Sequence, residues 1–350
     1  MRTFFTAAMA GLAMANQAPE LIESTPNGYV GFNILEDGAP KTVYIGSPFW
    51  FTGGGGDTMD IPPGGRIQLL TSPTLSPEAF YKPNLLGGYI EYDVDMSTQV
   101  CGCLATLYLV RSPAHDSSGN YDNTDGFYYC DGHAITGEYC PEFDIMEANQ
   151  YAFQTTAHEC YSAGNGHYSD CNHGGSCIQN TVDNWNHSGQ NNYGPGGQYT
   201  IDTTQKYTVR IDFCEDNSQF STFTLSLTQN GKTVSETCAG GNNSMMTDDL
   251  KGNMAIIVSQ WSGDATWLWK DSCGGSCSSD PKLYFTNMKV GTTGATCGSG
   301  PSPSGDYDYG DACATKGDDF CDGSCDCRWS WPKSDPAKWS SKDAACRCKA

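Results

Sequence analysis

Apolar and polar residues alternate with a period of two in several short stretches of the chain. Tyr89-Ile90-Glu91-Tyr92-Asp93-Val94-Asp95 does so throughout, which predicts a strand with one face on a core. Leu104 to Val110 is a nearly continuous apolar run of buried-strand length. Tyr207 to Phe213, Met254 to Trp261 and Leu283 to Val290 read as further strands, and Phe223 to Leu227 and Lys232 to Val234 flank Asn230-Gly231, a strong hairpin signal. No segment carries a helical period. The pattern predicts an all-β protein, and the strand number with a single long core points to a two-sheet sandwich. From Gly28 to Pro83 the chain is rich in Gly and Pro and reads as short strands and exposed loops; Ala157 to Gly197, crowded with Gly, Asn, His and Cys, reads as disulfide-pinned loops.

One stretch breaks the rhythm. In Glu142-Phe143-Asp144-Ile145-Met146-Glu147-Ala148-Asn149 the first two acids share a strand face and Phe143 and Ile145 point to the core, but strict alternation would put Met146 beside Asp144. Bringing Glu147 onto the acidic face needs one extra residue, which is what a β-bulge supplies. Glu142 and Glu147 then stand as if four positions apart, ~13 Å between Cα atoms. Side chains leaning together bring the carboxyls toward the ~5 to 5.5 Å of a retaining glycosidase pair, rather than the ~6.5 to 9.5 Å of an inverting one. In that reading Glu142 is the nucleophile, Glu147 the general acid and then base, and Asp144 hydrogen-bonds Glu142 and orients it. Repulsion among three acids keeps at least one protonated near neutral pH. A solvated acidic strand face or a calcium site has the same local sequence.

Composition narrows the setting. Met1 to Ala15 has the form of a secretory signal, with Arg2 ahead of an apolar run and Ala13-Met14-Ala15 at the cleavage position, and no later stretch is long or apolar enough to span a membrane. The 18 cysteines point to an oxidising, extracellular compartment. Twelve lie between Cys101 and Cys297 and six between Cys313 and Cys348, so each part can close its own bridges. Sequons at Asn186 and Asn242 agree with secretion. A net charge of -21 argues against nucleic acid or anionic lipid as partner and leaves a neutral polymer unaffected. The expected organisation is a signal at 1–15, a β-sandwich domain at 16–297, a Gly/Pro/Ser linker at 298–312 and a Cys-rich module at 313–350. In the module Trp329 and Trp331 alternate along one face with Trp339 nearby, an arrangement that serves equally as a sugar-gripping row or as a mini-core.

Taken together, these segments resemble glycoside hydrolase family 7, the retaining cellulases of fungi and some protists. Glu142 to Asn149 differs from the family's E-M-D-I-W-E-A-N only at Phe143 and Met146. Thr156-Ala157-His158-Glu159-Cys160 resembles its T-P-H-P-C, Tyr168-Ser169-Asp170 with Gly174-Gly175 its Y-S-D and G-G, and Tyr193-Gly194-Pro195-Gly196 with Asp202-Thr203-Thr204 its Y-G-P-G and D-T-T. Ser259 to Ser272 resembles its tryptophan-bearing strand and loop, and Asp93-Val94-Asp95, Cys101-Gly102, Leu107-Tyr108 and Tyr129-Cys130-Asp131 fall in the same order. The resemblance runs from about Leu85 to Gly291. It implies a concanavalin-like β-sandwich (jelly roll), Glu142 as nucleophile, Asp144 as its partner, Glu147 as acid/base and His158 beside the acid/base. Trp261 and Trp269 would stack on glucosyl units, and Tyr108 and Asp131 fit positions that bind glucose hydroxyls. No cofactor is implied. His158, His167 and His173 are close in sequence but lack a metal-ligand pattern, so no metal is expected.

The departures carry information too. The chain between signal and linker is shorter than the family's usual catalytic domain, so loops that roof a tunnel in the processive members are trimmed. No arginine accompanies Cys273 to Cys277, and Leu104 replaces a sugar-binding asparagine. The expectation is a secreted, monomeric endo-β-1,4-glucanase with an open cleft, acting on cellulose or a related β-glucan. A β-1,3 or mixed-linkage glucanase of glycoside hydrolase family 16 shares the acidic motif, and a non-catalytic glucan-binding or wall-structural protein with a lectin-like sandwich shares the fold.

Overall fold

A computed structural model of the chain describes residues 29–47, 54–181, 185–186, 189–239, 242–263, 268 and 273–297. The signal, linker and Cys-rich module, together with Trp269, lie outside the described residues. The Gly/Pro-rich N-terminal part forms β1 (Val30–Glu36), β2 (Ala39–Gly46), β3 (Gly54–Gly55), β4 (Thr58–Asp60) and β5 (Arg66–Leu70). Next come β6 (Tyr89–Asp95), β7 (Cys103–Arg111), β8 (Glu142–Ala148), β9 (Phe153–His158), β10 (Cys160–Gly164), β11 (His167–Cys171) and β12 (Ser176–Asn180). β13 (Tyr193–Gly194), β14 (Ile201–Asp202), β15 (Tyr207–Asp216), β16 (Gln219–Gln229) and β17 (Lys232–Ala239) lead to a short 3-10 turn at Asn243–Met246 and the single-turn helix α1 (Thr247–Leu250). β18 (Met254–Ser262) and β19 (Tyr284–Gly291) complete the set.

The main sheet has 15 strands, and its path runs β12-β9-β8-β7-β18-β5-β2-β1-β19-β6-β15-β16-β17, with β4, itself paired to β3, joining at β19. Its two ends lie face to face. The Phe143 ring on β8 stands 5.1 Å from Phe213 on β15 and 5.0 Å from Phe223 on β16, both edge to face. Strands so far apart along a hydrogen-bonded path can touch only if the sheet folds over into two layers, and the core fills the space between them.

The periodicities explain which face each strand buries. β6 buries Ile90, Tyr92 and Val94 and leaves Glu91, Asp93 and Asp95 half-exposed. β7 is buried along its length up to Arg111 because both faces are covered. Ala105, Leu107 and Leu109 enter the main core, while Tyr108 and Leu104 join separate clusters on the other face. Asn230 and Gly231 turn β16 into β17 with φ of 50° and 73°, the left-handed pair that a two-residue hairpin requires.

Two expectations change. The Gly/Pro-rich region supplies central strands, since β1, β2 and β5 sit in the middle of the path and bury Phe32, Val43 and Ile67 completely. The stretch from Ala157 to Gly197 is only partly loop: β10 and β11 form a hairpin closed by Cys160–Cys171, and β12 extends the main sheet beside β9. Periodicity missed β12 and its neighbour β9 because both bury polar side chains that find hydrogen-bond partners within the sheet. Asn180 Nδ2 donates to Gln154 Oε1 at 3.0 Å, and Thr155 Oγ1 donates to the Ile145 carbonyl at 2.8 Å. The remaining bridges are Cys101–Cys273, Cys103–Cys277, Cys130–Cys140, Cys177–Cys238 and Cys214–Cys297, so all twelve cysteines of this part pair among themselves.

Candidate active site

The bulge lies where the acids need it. β8 pairs with β7 as Tyr108↔Asp144 and Leu107↔Met146, which leaves Ile145 without a partner on β7. On the other side the register passes from Asp144↔Thr156 to Glu147↔Gln154, again with one extra residue on β8. Ile145 and Met146 both enter the core, and Glu142, Asp144 and Glu147 emerge on the opposite face. They line a cleft of about 380 Å³ together with Tyr108, Asp131 and Trp261.

The two glutamates have different surroundings. Glu142 Oε2 accepts the Gly132 backbone N–H at 2.9 Å. Burial, and then the charge of Asp144, push its carboxyl well above the ordinary glutamate value, while His158 and the Gly132 N–H act in the opposite direction. Glu147, partly exposed at the cleft wall, has no hydrogen bond or ion pair among the described residues. Burial comes first and the charges of Asp144 and Glu142 follow, and all three raise it. Its neighbour across the ladder, Thr106, is occupied elsewhere, with its hydroxyl 2.6 Å from Ser259 Oγ. The Glu142 charge thus raises Glu147, and of the two carboxyls only Glu142 has groups that favour its anion, His158 and the Gly132 N–H.

Asp144 has a partner that the sequence does not announce. His158 Nε2 lies 3.2 Å from Asp144 Oδ2, and His158 Nδ1 bonds the Asn172 carbonyl at 2.7 Å. Burial would lower this imidazole, but the Asp144 hydrogen bond and charge, with Glu142 behind them, raise it to about 9. His158 is therefore a cation at neutral pH. It stands across the ladder from Glu142 and pairs with Asp144, not beside Glu147 as the resemblance implies. Two glycines make room for it. A Cβ on Gly132 would stand 3.0 Å from His158 Cβ and 3.1 Å from Glu142 Oε2, and one on Gly175, at φ of 72°, would collide with Thr156 and press on the His158 ring.

The other predicted residues divide. Trp261 is 37% exposed at the end of β18, on the cleft. Tyr108 is buried with its hydroxyl 3.1 Å from that of Tyr129, and burial keeps its phenol protonated. Asp131 Oδ1 accepts the backbone N–H groups of His133 and Ile135 at 2.9 and 3.1 Å, so part of its role is to shape the turn that carries Gly132. Leu104 packs on Ala152 and Leu268. His167 pairs with Glu138 and His173 with Asp170, so the three histidines go to different partners. Among the described residues no group of three or more His, Cys, Asp or Glu side chains could hold a metal ion.

Sequence reasoning missed Gly132, His133 and Arg66. Gly132 follows Asp131 in an Asp-Gly pair, a turn signal that could have marked it. His133 lines the cleft and packs edge-on against His158 at 5.2 Å. Arg66, also on the cleft, lies over the Tyr129 ring at 3.8 Å and pairs with Asp125 at 3.0 Å; nothing in its Gly/Pro-rich neighbourhood distinguishes it.

Comparison with known proteins agrees with this geometry. The family model for glycosyl hydrolase family 7 matches residues 129–275. Endoglucanase type C of Fusarium oxysporum is 25% identical over 278 residues, covering 61% of this chain and 65% of its own length. Endoglucanase EG-1 of Hypocrea jecorina is 26% identical over 263 residues, covering 61% of this chain and 55% of its own. The chain thus spans between about half and two thirds of the length of these curated relatives. A solved endoglucanase I complexed with cellobiose shares the fold, with a TM-score of 0.62 and 18% identity over 79% of this chain and all of that one. The family match contains β8, its bulge and the histidine that faces it, so the segment that builds the acidic cleft is the one that is similar to glycosyl hydrolase family 7.

Proposed function

We propose that the protein is a secreted retaining endo-β-1,4-glucanase acting on cellulose or a related β-glucan. The observation that carries the reading is the contrast between two glutamates on one bulged strand. Glu142 has a backbone N–H donor and a nearby imidazolium that favour its anion, whereas everything near Glu147 favours its protonated form. Such a pair divides the labour of double displacement. Glu142 attacks the anomeric carbon while Glu147 gives its proton to the departing glycosidic oxygen. The resulting Glu147 carboxylate then takes a proton from water, which releases the sugar from Glu142 with its configuration retained. Asp144, neutralised by His158, orients Glu142.

Substrate class and mode of attack rest on separate support. A related endoglucanase is known bound to cellobiose, and curated relatives carry endoglucanase names. Trp261 offers a half-exposed aromatic face to an apolar sugar face, and an exposed Ile135 on the facing loop suits a cleft open to internal chain segments. Six disulfides in one domain suit export to an oxidising compartment.

The test is product analysis on cellulose, mixed-linkage glucan and laminarin, wild type beside Glu142→Gln, with the anomer of the first product followed by NMR. Release of β-anomers from the β-1,4-linked substrates by wild type alone is expected. Exclusive action on laminarin would shift the assignment to β-1,3 linkages, and full activity in Glu142→Gln would remove Glu142 from its role.

A further inference from the structure

Next to His158 stands a buried carboxyl that the mechanism above does not use. Glu159 is 1% exposed, at the turn between β9 and β10, where the resembling family motif has proline. Three donors from two other segments converge on its Oε1: Asn172 Nδ2 at 3.1 Å, Ser176 Oγ at 3.0 Å and Asn242 Nδ2 at 3.0 Å. Its Oε2 is buried with no hydrogen-bond partner. A buried carboxyl that forms no ion pair among the described residues is costly, and it is retained most simply where its acceptor geometry holds something in place.

What it holds is Asn172. The Glu159 backbone carbonyl accepts the Asn172 N–H at 2.8 Å while the side chain takes the Asn172 amide, so Asn172 is gripped at both ends. The Asn172 carbonyl faces the other way, accepting the Gly175 N–H at 3.0 Å and bonding His158 Nδ1 at 2.7 Å. A contact to one ring nitrogen sets the direction of the other, and here the other is Nε2, 3.2 Å from Asp144.

We propose that Glu159 is a positioning residue that clamps Asn172, so that the Asn172 carbonyl aims His158 at Asp144 and, through Asp144, fixes the nucleophile Glu142. The proposal rests on the glucanase reading for its catalytic consequence and on geometry alone for its effect on His158. The groups facing that imidazole are Asp144 and Glu142 from β8 and His133 from the facing loop.

The experiment uses the full chain and three variants: Glu159→Ala, Glu159→Gln and Asn172→Asp. The His158 imidazole is titrated by NMR, and kcat and KM are measured on a soluble β-glucan across the pH range. Glu159→Ala and Asn172→Asp should both lower the His158 midpoint by about half a pH unit or more. They should also lower kcat about tenfold with KM nearly unchanged, since the nucleophile is misaimed while the sugar-binding surface is intact. Glu159→Gln keeps an acceptor at the Oε1 position and should restore both quantities to near wild-type values. A merely structural role would lower the melting temperature of Glu159→Ala while leaving the His158 midpoint and kcat where they were; that result, or failure of Glu159→Gln to rescue, overturns the proposal. A wild-type protein that releases no sugar would overturn the glucanase reading instead, and the titration would still decide whether Glu159 aims His158.

Discussion

The His158–Asp144 pair ties the stability of the fold to pH over a definite window. The imidazole moves from 6.5 to about 9 on folding, because the Asp144 hydrogen bond and charge outweigh a burial that works to lower it. A base raised in the folded state holds its proton more tightly there. Its contribution to stability is therefore complete below about pH 6.5 and is lost as pH rises through about 9. At about 1.4 kcal/mol per pH unit, that interval corresponds to about 3 kcal/mol. Both side chains are only 8% exposed, so solvent screens little of it. The assay is urea unfolding with disulfides intact, from about pH 6 to about pH 10, for wild type and His158→Gln. Titration of groups remote from His158 largely cancels in the difference. Wild type should exceed the variant by about 3 kcal/mol at the acid end, with the gap closing steadily toward the alkaline end. A gap that is constant across the range would refute the ion pair as its source.

Glu147→Gln should lower kcat by about 10² to 10⁴ on β-glucans but much less on aryl glycosides, whose leaving groups need no proton; comparing the two substrates checks it. Because burial and its acidic neighbours raise Glu147 above 4.5, the acid form persists above that value, and the alkaline limb of the wild-type kcat/KM profile should lie above it too. Trp261→Ala should weaken binding of cello-oligosaccharides by about 0.5 to 1.5 kcal/mol, read as a higher KM with little change in kcat. Phe143→Ala, which empties the junction between β8 and β15–β16, should cost about 3 to 5 kcal/mol in urea unfolding and leave the spacing of the acids on β8 intact.

The legible part of the fold was the part with clean hydrophobic periodicity. β6 matches its predicted bounds, and the bulge at Ile145 follows from placing three acids on one face of a strand that must bury Ile145 and Met146. Strands held by polar side chains, such as β9 and β12, leave no such pattern, and composition hid the central strands of the N-terminal part. In the site, the acids could be read because spacing within one strand fixes their face. The partners of those acids come from elsewhere: Gly132 lies ten residues from Glu142, and Asn172 fourteen from His158. Only the path of the intervening loops brings them together, and no local spacing encodes that path.

The strand order has a consequence for how the molecule is made. β7, which walls the cleft beside β8, lies between β8 and β18 and is stapled to the segment after β18 by Cys101–Cys273 and Cys103–Cys277, bridges that span 172 and 174 residues. Cys130–Cys140 and Cys160–Cys171 span only 10 and 11. As the chain emerges from its N-terminus, the two short loops around the acids can lock early, while the cleft wall waits for nearly the whole domain to appear. Throughout that interval Cys101 and Cys103 are thiols without their native partners, so the fidelity of oxidation during folding depends on their not pairing with each other or with a nearer cysteine.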